Sequence, residues 1–288
     1  MKSNVINRML CVVLLCSLAA CACGAAQEQE FIAILKSNAG AVEKCAACQQ
    51  LRICGTVQSV AALASVLGDE RLSHAARYAL EGMPYPEVGP ALHGALGRTS
   101  GTVKAGLIDS IGRRRDTAAT SLLIPLLSDA DKSIAATTAS ALGCIGDNVA
   151  AAALTAACDN PNPDVRTAVL DALLRCGETR LAQGDKSAAA GIYRKVLESE
   201  PLSAVHIAAW RGRVLSDDGQ RAKLVVAALT GQDKSLRMMA AQLVRETRDD
   251  ELVNACLKQW KSLNADAQVL VVNVLADRGD KEIGRAHV

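Results

Sequence analysis

Apolar residues recur along this chain at a nearly constant spacing, and this period constrains the fold more than any other feature. Counted from a weaker first copy at Glu43, successive copies lie 29, 31, 31, 31, 40, 31 and 31 residues apart. The anchor residues are Leu72, Val103, Ile134, Val165, Val205, Leu236 and Ala267. A fixed period of this size is typical of a helical solenoid, in which each repeat packs against its neighbours. The sequence therefore predicts an all-α fold of stacked helix pairs.

The copy at Val165 shows how a repeat begins. Asn162 is a predicted N-cap, Pro163 takes the first helical position, and Asp164 puts negative charge where the helix dipole favours it. Apolar residues then follow at helical spacing and form one face, namely Val165, Ala168, Val169, Ala172 and Leu173. The first helices are predicted to stop at Gly55, Gly146, Gly177 or Pro84. Glycine at such a position suits a left-handed C-terminal cap.

A second helix is predicted to start directly after each first helix. Its N-cap is the next residue in four copies, Thr56, Asp116, Asp147 and Glu178. Two rows of apolar residues repeat in phase with the first helices. One row is Leu63, Leu92, Leu123 and Leu154, and the other is Leu67, Leu96, Leu127 and Cys158. Because two short helices cannot bury their faces alone, neighbouring pairs must share one continuous core.

The pattern Asp164-Val165-Arg166…Ala168…Ala172-Leu173 resembles the HEAT repeat in its short bacterial form, which is related to phycobilin-lyase-type repeats. The resemblance covers residues 43–281 and implies a right-handed α-α superhelix. The longer spacing between Val165 and Val205 predicts an insertion near 175–203. Residues 170–203 resemble one tetratricopeptide unit, which we interpret as a lengthened helix pair.

The N-terminus has the pattern of a targeting segment. Residues 1–20 combine a basic start with a short apolar stretch and predict a signal peptide. The sequence ending at Cys21 resembles a bacterial lipoprotein signal, in which Cys21 would be acylated. Cleavage before Gln27 without lipidation and an uncleaved anchor are the alternatives. All three predict export to the periplasm or cell envelope, and residues 21–42 are predicted to form a linker and a capping helix with a polar face at Gln27-Glu28-Gln29-Glu30.

The last seven residues need a separate interpretation. Residues 282–288 resemble the translation of a common sequencing adapter, so we do not expect them to belong to the natural protein. The helix that begins near Ala267 also lacks a second helix before this point. We therefore expect the natural chain to continue past residue 281.

Charge and composition limit the partners. Lysine and arginine exceed aspartate and glutamate by two, so no strong electric field favours nucleic acid. The few aromatic residues offer little for stacking bases or sugars. We expect no nucleic acid partner and no small-molecule substrate, and contact with a membrane is predicted only through a lipid anchor at Cys21.

Cysteine is the one residue type whose frequency suggests chemistry. Cys45 and Cys48 form a C-x-x-C motif, with Cys54 nearby. Zinc, thiol exchange and haem attachment are the functions this motif serves elsewhere. Gln49 stands where haem attachment needs histidine, and no second pair lies at zinc-finger spacing. We interpret Cys48 and Cys54 as small apolar packing residues.

The histidines and the arginine cluster give no better site. His74, His93 and His206 have no carboxylate or cysteine at the spacing of a metal site or catalytic triad. Arg113-Arg114-Arg115 ends a first helix, where we expect a solvated cap rather than a phosphate site. No catalytic residue, metal ligand or cofactor is predicted.

The residue after each anchor defines a candidate row that either contacts a partner or forms an internal ladder with loop aspartates. The row comprises Ser73, Lys104, Arg166, His206 and Arg237. Arg166 and Arg237 match the arginine of the HEAT pattern, and the other three depart from it. The sequence predicts a non-enzymatic scaffold that binds an unidentified protein at the bacterial cell envelope. The alternative is the repeat region of a larger secreted enzyme with a sugar-hydrolase-like or cytochrome-c-like domain, and a tetrapyrrole lyase is a third possibility.

Overall fold

The computed structural model describes residues 24–199, 203–247 and 249–278, and these residues form helices and turns without any strand. The chain divides into two units, of which unit 1 ends at Ile145 and unit 2 begins at Gly146. The residues of the predicted signal peptide, Cys21 and the predicted adapter-derived tail lie outside the described ranges. The prediction of an all-α fold built from stacked helix pairs is confirmed for the described residues.

Unit 1 alternates first and second helices. Its helices are α1 (24–36), α2 (Ala41–Cys54), α3 (Val57–Ser65), α4 (Ser73–Glu81), α5 (Val88–Leu96), α6 (Gly101–Arg113), α7 (Thr120–Leu123) and α8 (Lys132–Ile145). The first helices α2, α4, α6 and α8 pack side by side in chain order, and α3 packs against α5 in the same way. Repeats therefore stack through contacts between equivalent helices.

Unit 2 begins with a second helix and then has the same organisation as unit 1, with one longer helix pair that starts at Pro163. Its helices are α9 (Asn148–Ala156), α10 (Pro163–Ala182), α11 (Lys186–Glu198), α12 (Ser203–Ser216), α13 (Arg221–Thr230), α14 (Lys234–Thr247), α15 (Asp250–Lys258) and α16 (Ala265–Arg278). The first helices α10, α12, α14 and α16 pack in succession. None of the helices in the described ranges has the length and apolar character needed to cross a bilayer.

The predicted apolar rows form the cores. Every member of the two second-helix rows is at most 5% exposed, and Leu63, Leu92, Leu123 and Leu154 are completely buried. The anchors are buried as well, except for Leu236, which is half-buried in the core of unit 2. The apolar positions that recur about every 31 residues thus predict which side chains are buried.

The predicted N-caps Asn162, Thr56 and Asp147 are confirmed as starts of α-helices, and Asp116 caps a 3-10 turn instead. Oδ1 of Asn162 accepts hydrogen bonds from the backbone N–H groups of Asp164 and Val165, each at 3.1 Å. Thr56 and Asp147 cap α3 and α9 in the same manner. These side chains satisfy N–H groups that have no partner inside the helix.

The prediction that α10 ends at Gly177 and that Glu178 starts a new helix is wrong. The helix runs on to Ala182, and Gly177 lies inside it. A Cβ at position 177 would be 2.8 Å from Cε1 of Tyr193 on α11. Glycine is needed here because a ring from the next helix packs against the backbone, and the insertion extends α10 and α11. The tetratricopeptide resemblance stays a prediction.

Two other glycines differ in their roles. Gly146 has φ of 66°, the predicted left-handed conformation. Gly55 has φ of −69°, so the left-handed cap predicted there is wrong. A Cβ at position 55 would collide with the backbone carbonyl oxygen of Leu51 and lie 2.6 Å from the terminal methyl carbon of Met83, so space and not a left-handed φ requires glycine.

The second helix after α6 is broken, which the sequence prediction did not include. Short 3-10 turns, Thr117–Ala119 and Ile124–Ser128, flank the four-residue α7. Pro125 lies at the start of the later turn and has no N–H to continue an α-helix. Leu123 and Leu127 nevertheless remain in the core.

The prediction that Glu28 belongs to a polar end face is wrong, because its side chain is buried. The residue is 2% exposed and lies on α1 next to the start of α3. Its Oε1 accepts a hydrogen bond from the backbone N–H of Thr56 at 2.6 Å, and its carboxylate also accepts from the hydroxyls of Thr56 and Ser59. Glu28 thus stabilises the N-terminus of α3 from a neighbouring helix.

We expect Glu28→Gln to lower the free energy of unfolding by about 1–3 kcal/mol at neutral pH, since hydrogen bonds to a buried charge are lost. Burial raises the pKa of Glu28, but the hydrogen bonds from Ser59 and Thr56 together lower it by more, so the pKa lies below its ordinary value. Such a group stabilises the fold above its unfolded pKa, and this stabilisation is lost as pH falls through the folded pKa.

Thermal unfolding between pH 7 and pH 3 tests this expectation. The difference between wild type and Glu28→Gln should shrink at the acid end, where the native carboxyl is also protonated. Glu30→Gln, at an exposed position on the same helix, is the matched control and should change little. A difference that is constant with pH would show that the charge of Glu28 is not what stabilises α3.

Candidate functional site

The five residues of the predicted row have different environments. Ser73 is 3% exposed and Arg237 is 7% exposed, so both are buried. Nζ of Lys104 lies 3.9 Å from Oδ2 of Asp129, a loop aspartate, as the ladder interpretation predicts. His206 is half-buried and Arg166 is exposed. The five positions therefore do not form a uniformly exposed row, and a partner-binding role stays a prediction that suits Arg166 best.

Arg237 has a local structural contact. Its Nη1 donates a hydrogen bond of 2.7 Å to the carbonyl oxygen of Gly231, which directly follows α13. A cation at the end of a helix interacts favourably with the negative end of the dipole. Arg237 thus links the start of α14 to the end of α13.

The prediction that the arginine cluster forms a solvated cap on its own helix is wrong for Arg114. Its Nη1 donates to the carbonyl oxygens of Leu80, Glu81 and Met83 at 3.0, 3.0 and 2.8 Å. These carbonyls belong to the C-terminal end of α4, one repeat earlier. Arg114 thus adds a charged donor to carbonyl groups at and just beyond the end of α4, where the regular helical N–H partners are missing.

The same contact recurs in unit 2 at the same sequence separation. Nη2 of Arg180 donates to the carbonyl oxygen of Gly146 at 3.1 Å, 34 residues earlier, as Arg114 does to Leu80. Both arginines lie near the end of a first helix. Arg114 and Arg180 therefore each bind a backbone carbonyl of the preceding repeat, at positions outside the predicted row.

A polar network lies between α4 and α6. Nη1 of Arg77 donates to the carbonyl oxygen of Gly106 and to Oγ of Ser110, and Ser110 donates to Glu81 at 2.7 Å. A Cβ at position 106 would be 2.5 Å from the guanidinium carbon of Arg77. Desolvation lowers the pKa of Arg77, while Glu81 and Asp109 oppose the shift. This network fixes the approach of two neighbouring first helices.

His93 has a carboxylate partner that its spacing in the sequence did not indicate. Nε2 of His93 lies 2.9 Å from Oδ2 of Asp116, and Oδ1 of Asp116 accepts a hydrogen bond from the N–H of Ala118. The pair lines a cleft of about 450 Å³ together with Gly89 and Arg114. The contact joins α5 to the turn after α6. The two residues are 23 positions apart in the sequence, too far for helical spacing to predict that they meet.

The cysteines do not form a disulfide or a metal cluster within the part of the chain that the structure describes. Cys48 is completely buried, which confirms its packing role, and burial raises the pKa of its thiol to about 11, with Cys45 adding to the shift. Cys54 is half-buried, and its thiol lies 3.3 Å from the carbonyl oxygen of Gln50. Cys45 and Cys48 lie on the single helix α2.

An exposed patch covers part of α2 and α4. Val42 and Ile53 on α2 are 84% and 80% exposed, the highest values among the large apolar side chains in the described ranges. The guanidinium carbon of Arg52 lies 4.3 Å from the ring centroid of Tyr78, which is 48% exposed on α4. The ring of His74 stacks on Tyr78 at a centroid distance of 6.3 Å. We name Val42, Arg52, Ile53 and Tyr78 the α2–α4 patch.

The fold and these contacts define an α-helical repeat protein. Residues 89–174 match the family model described as HEAT repeats, which confirms that prediction over this range. Among curated proteins, none matches the chain at a significant level.

Three of the solved structures that resemble the chain are as follows. Human deoxyhypusine hydroxylase in complex with glycerol is 17% identical, with 80% of this chain and 88% of that chain covered and a TM-score of 0.42. The complex of CpcE and CpcF of phycocyanin lyase from Nostoc sp. PCC7120 is 20% identical, with 90% and 92% covered and a TM-score of 0.36. YibA from Escherichia coli is 15% identical, with 90% and 96% covered and a TM-score of 0.48.

Proposed function

We propose that this protein is a non-catalytic repeat scaffold that binds another protein through the α2–α4 patch. The observation that carries the proposal is the exposure of Val42 and Ile53 beside the stacked Arg52 and Tyr78. Contiguous exposed apolar surface marks interaction sites, and tyrosine and arginine dominate the residues that contribute most to binding.

The geometry of the patch supports binding. Val42, Ala46, Gln49 and Ile53 succeed one another at three- and four-residue spacing and are all exposed, so they form one stripe along α2. The stacking of Arg52 on Tyr78 reduces the freedom of both side chains before a partner arrives. The stripe presents the apolar side chains Val42 and Ile53 near its two ends, and the stacked pair of Arg52 and Tyr78 adds a preorganised aromatic and cationic contact next to Ile53 in sequence.

Capture of proteins from a bacterial envelope extract on the full chain tests the proposal. We expect a protein held by the wild type to be bound at least tenfold less by Ile53→Glu and by Tyr78→Ala, since loss of a central contact costs about 2 kcal/mol or more. Leu122→Glu is the matched control, because Leu122 is 44% exposed elsewhere in unit 1. The same proteins retained equally by all variants would contradict the proposal.

We also propose that the protein is exported to the cell envelope and acylated at Cys21. The basic start and short apolar stretch of residues 1–20 support this proposal. Incorporation of labelled palmitate in a bacterial host, followed by fractionation, distinguishes the alternatives. Loss of label and of membrane association in Cys21→Ser would agree with lipidation, whereas an unlabelled periplasmic wild type would indicate simple secretion.

A further inference from the structure

A groove runs between the first helices α14 and α16 of unit 2. Two hollows of about 420 and 310 Å³ lie between these helices. Both are lined by Met238 and Leu270, so they form one continuous depression. The buried residues Ala241 and Val274 lie along the same depression. The groove is separate from the α2–α4 patch, which belongs to unit 1.

The walls of the groove expose large apolar side chains. Met238 on α14 is 54% exposed, and Val269 on α16 is 59% exposed. Leu270 is half-buried between them. Apolar surface left in water favours association, and the flexible thioether of methionine adapts to differently shaped partners. The groove therefore has the surface chemistry of a binding site for apolar side chains.

The two rims carry opposite charge at one end. Lys234 on α14 and Asp266 on α16 are both exposed, and neither takes part in an ion pair within the described ranges. At the other end, Nη2 of Arg245 lies 2.8 Å from Oδ2 of Asp277, so these two charges satisfy each other. A ligand in the groove would therefore meet a free cation on one side and a free anion on the other.

The dimensions and the backbone of the walls favour a helical ligand. From Lys234 to Arg245 the groove spans three helical turns, about 17 Å at 1.5 Å per residue. An extended peptide would need backbone partners, but the N–H and C=O groups in the middle of α14 and α16 bond within their own helices. A helix satisfies its own backbone and presents apolar side chains at positions i, i+4 and i+7.

We propose that the groove between α14 and α16 binds an amphipathic helix of a partner protein, with an acidic residue toward Lys234 and a basic residue toward Asp266. The apolar face of that helix would cover Met238, Val269 and Leu270. This goes beyond the proposed function, because it adds a second binding site in unit 2 and specifies the chemistry of its ligand.

Three synthetic peptides test the proposal against the full chain by fluorescence anisotropy. All are helical designs of 16 residues with the same leucine stripe. The mixed peptide has glutamate along one side of the stripe and lysine along the other. The glutamate-flanked peptide has glutamate on both sides, and the lysine-flanked peptide has lysine on both sides. We expect the mixed peptide to bind tightest. Met238→Glu should weaken its binding at least tenfold, and Val149→Glu, at a position of equal exposure on α9, should leave it unchanged.

The rim charges provide the decisive variants. Lys234→Glu makes both rims acidic and should shift the preference to the lysine-flanked peptide, while Asp266→Lys should shift it to the glutamate-flanked peptide. Circular dichroism checks that each variant is folded. If Met238→Glu does not fold, the milder replacement Met238→Ala takes its place. An unchanged peptide ranking in both rim variants would overturn the proposal. Self-association abolished by Met238→Glu, without peptide binding, would instead identify a second copy as the occupant.

Discussion

Replacing Tyr193 with alanine is expected to lower the free energy of unfolding by about 3–5 kcal/mol, the usual cost of deleting a buried aromatic ring. Tyr193 is 2% exposed on α11, and its ring packs against the backbone at Gly177 on α10 and Gly212 on α12. Burial raises the pKa of Tyr193 to about 12, with Glu178 adding to the shift. Urea unfolding of the full chain followed by far-UV circular dichroism measures the loss.

A double-mutant cycle with Gly212 separates this packing from a general effect on stability. Gly212→Ala should destabilise the wild type by about 1–2 kcal/mol, because overpacking costs more than the gain in helix propensity. A Cβ at position 212 would collide with the ring carbons of Tyr193. In the Tyr193→Ala background the ring is absent, so Gly212→Ala should raise the free energy of unfolding by roughly 0.5–1 kcal/mol.

The control for this cycle is another glycine inside a helix. Gly191 lies in α11, and a Cβ there would have no atom within 4 Å. Gly191→Ala should therefore stabilise the protein in both backgrounds. If Gly212→Ala has the same sign with and without the Tyr193 ring, the ring does not pack against Gly212 as described.

Arg114→Ala should lower the free energy of unfolding by about 2–4 kcal/mol. The change removes three charge-assisted hydrogen bonds to the end of α4 and leaves the carbonyls of Leu80, Glu81 and Met83 without this donor. The contributions of the three bonds are not additive, because all come from one guanidinium nitrogen. The same urea titration measures the loss.

The adjacent arginine is the matched control. Arg113 is exposed and pairs with Asp109 on its own helix, four residues away, at 3.0 Å. Such a pair contributes about 0.3–0.5 kcal/mol, so Arg113→Ala should change stability little. Equal losses for Arg113→Ala and Arg114→Ala would mean that the loss reflects general charge removal, and the capping role assigned to Arg114 would be wrong.

Local pattern was sufficient for the helices and their cores. The caps Asn162, Thr56 and Asp147 and the rows beginning at Leu63 and Leu67 could be predicted, because each depends on residues a few positions apart. Helical periodicity relates such residues directly. Errors arose where a local signal had a second explanation, as at Gly177, whose small size serves Tyr193 and not a helix end.

The α2–α4 patch and the groove between α14 and α16 could not be predicted from the sequence. Val42 and Ile53 have no sequence signal that separates them from core residues, since burial of an apolar side chain depends on whether a neighbouring helix covers it. Met238 and Val269 are similar cases on α14 and α16. The candidate binding surfaces therefore required the tertiary structure.

By itself, the sequence determined that this protein is a series of short helix pairs with a period near 31 residues, because hydrophobic periodicity and capping are local properties of the chain. The tertiary structure decided which polar groups join the repeats. Glu28 reaches Thr56 across 28 residues, His93 reaches Asp116 across 23, and Arg114 reaches Leu80 across 34. Those pairings depend on how neighbouring repeats stack, since side chains that distant in sequence meet only after the helices have packed.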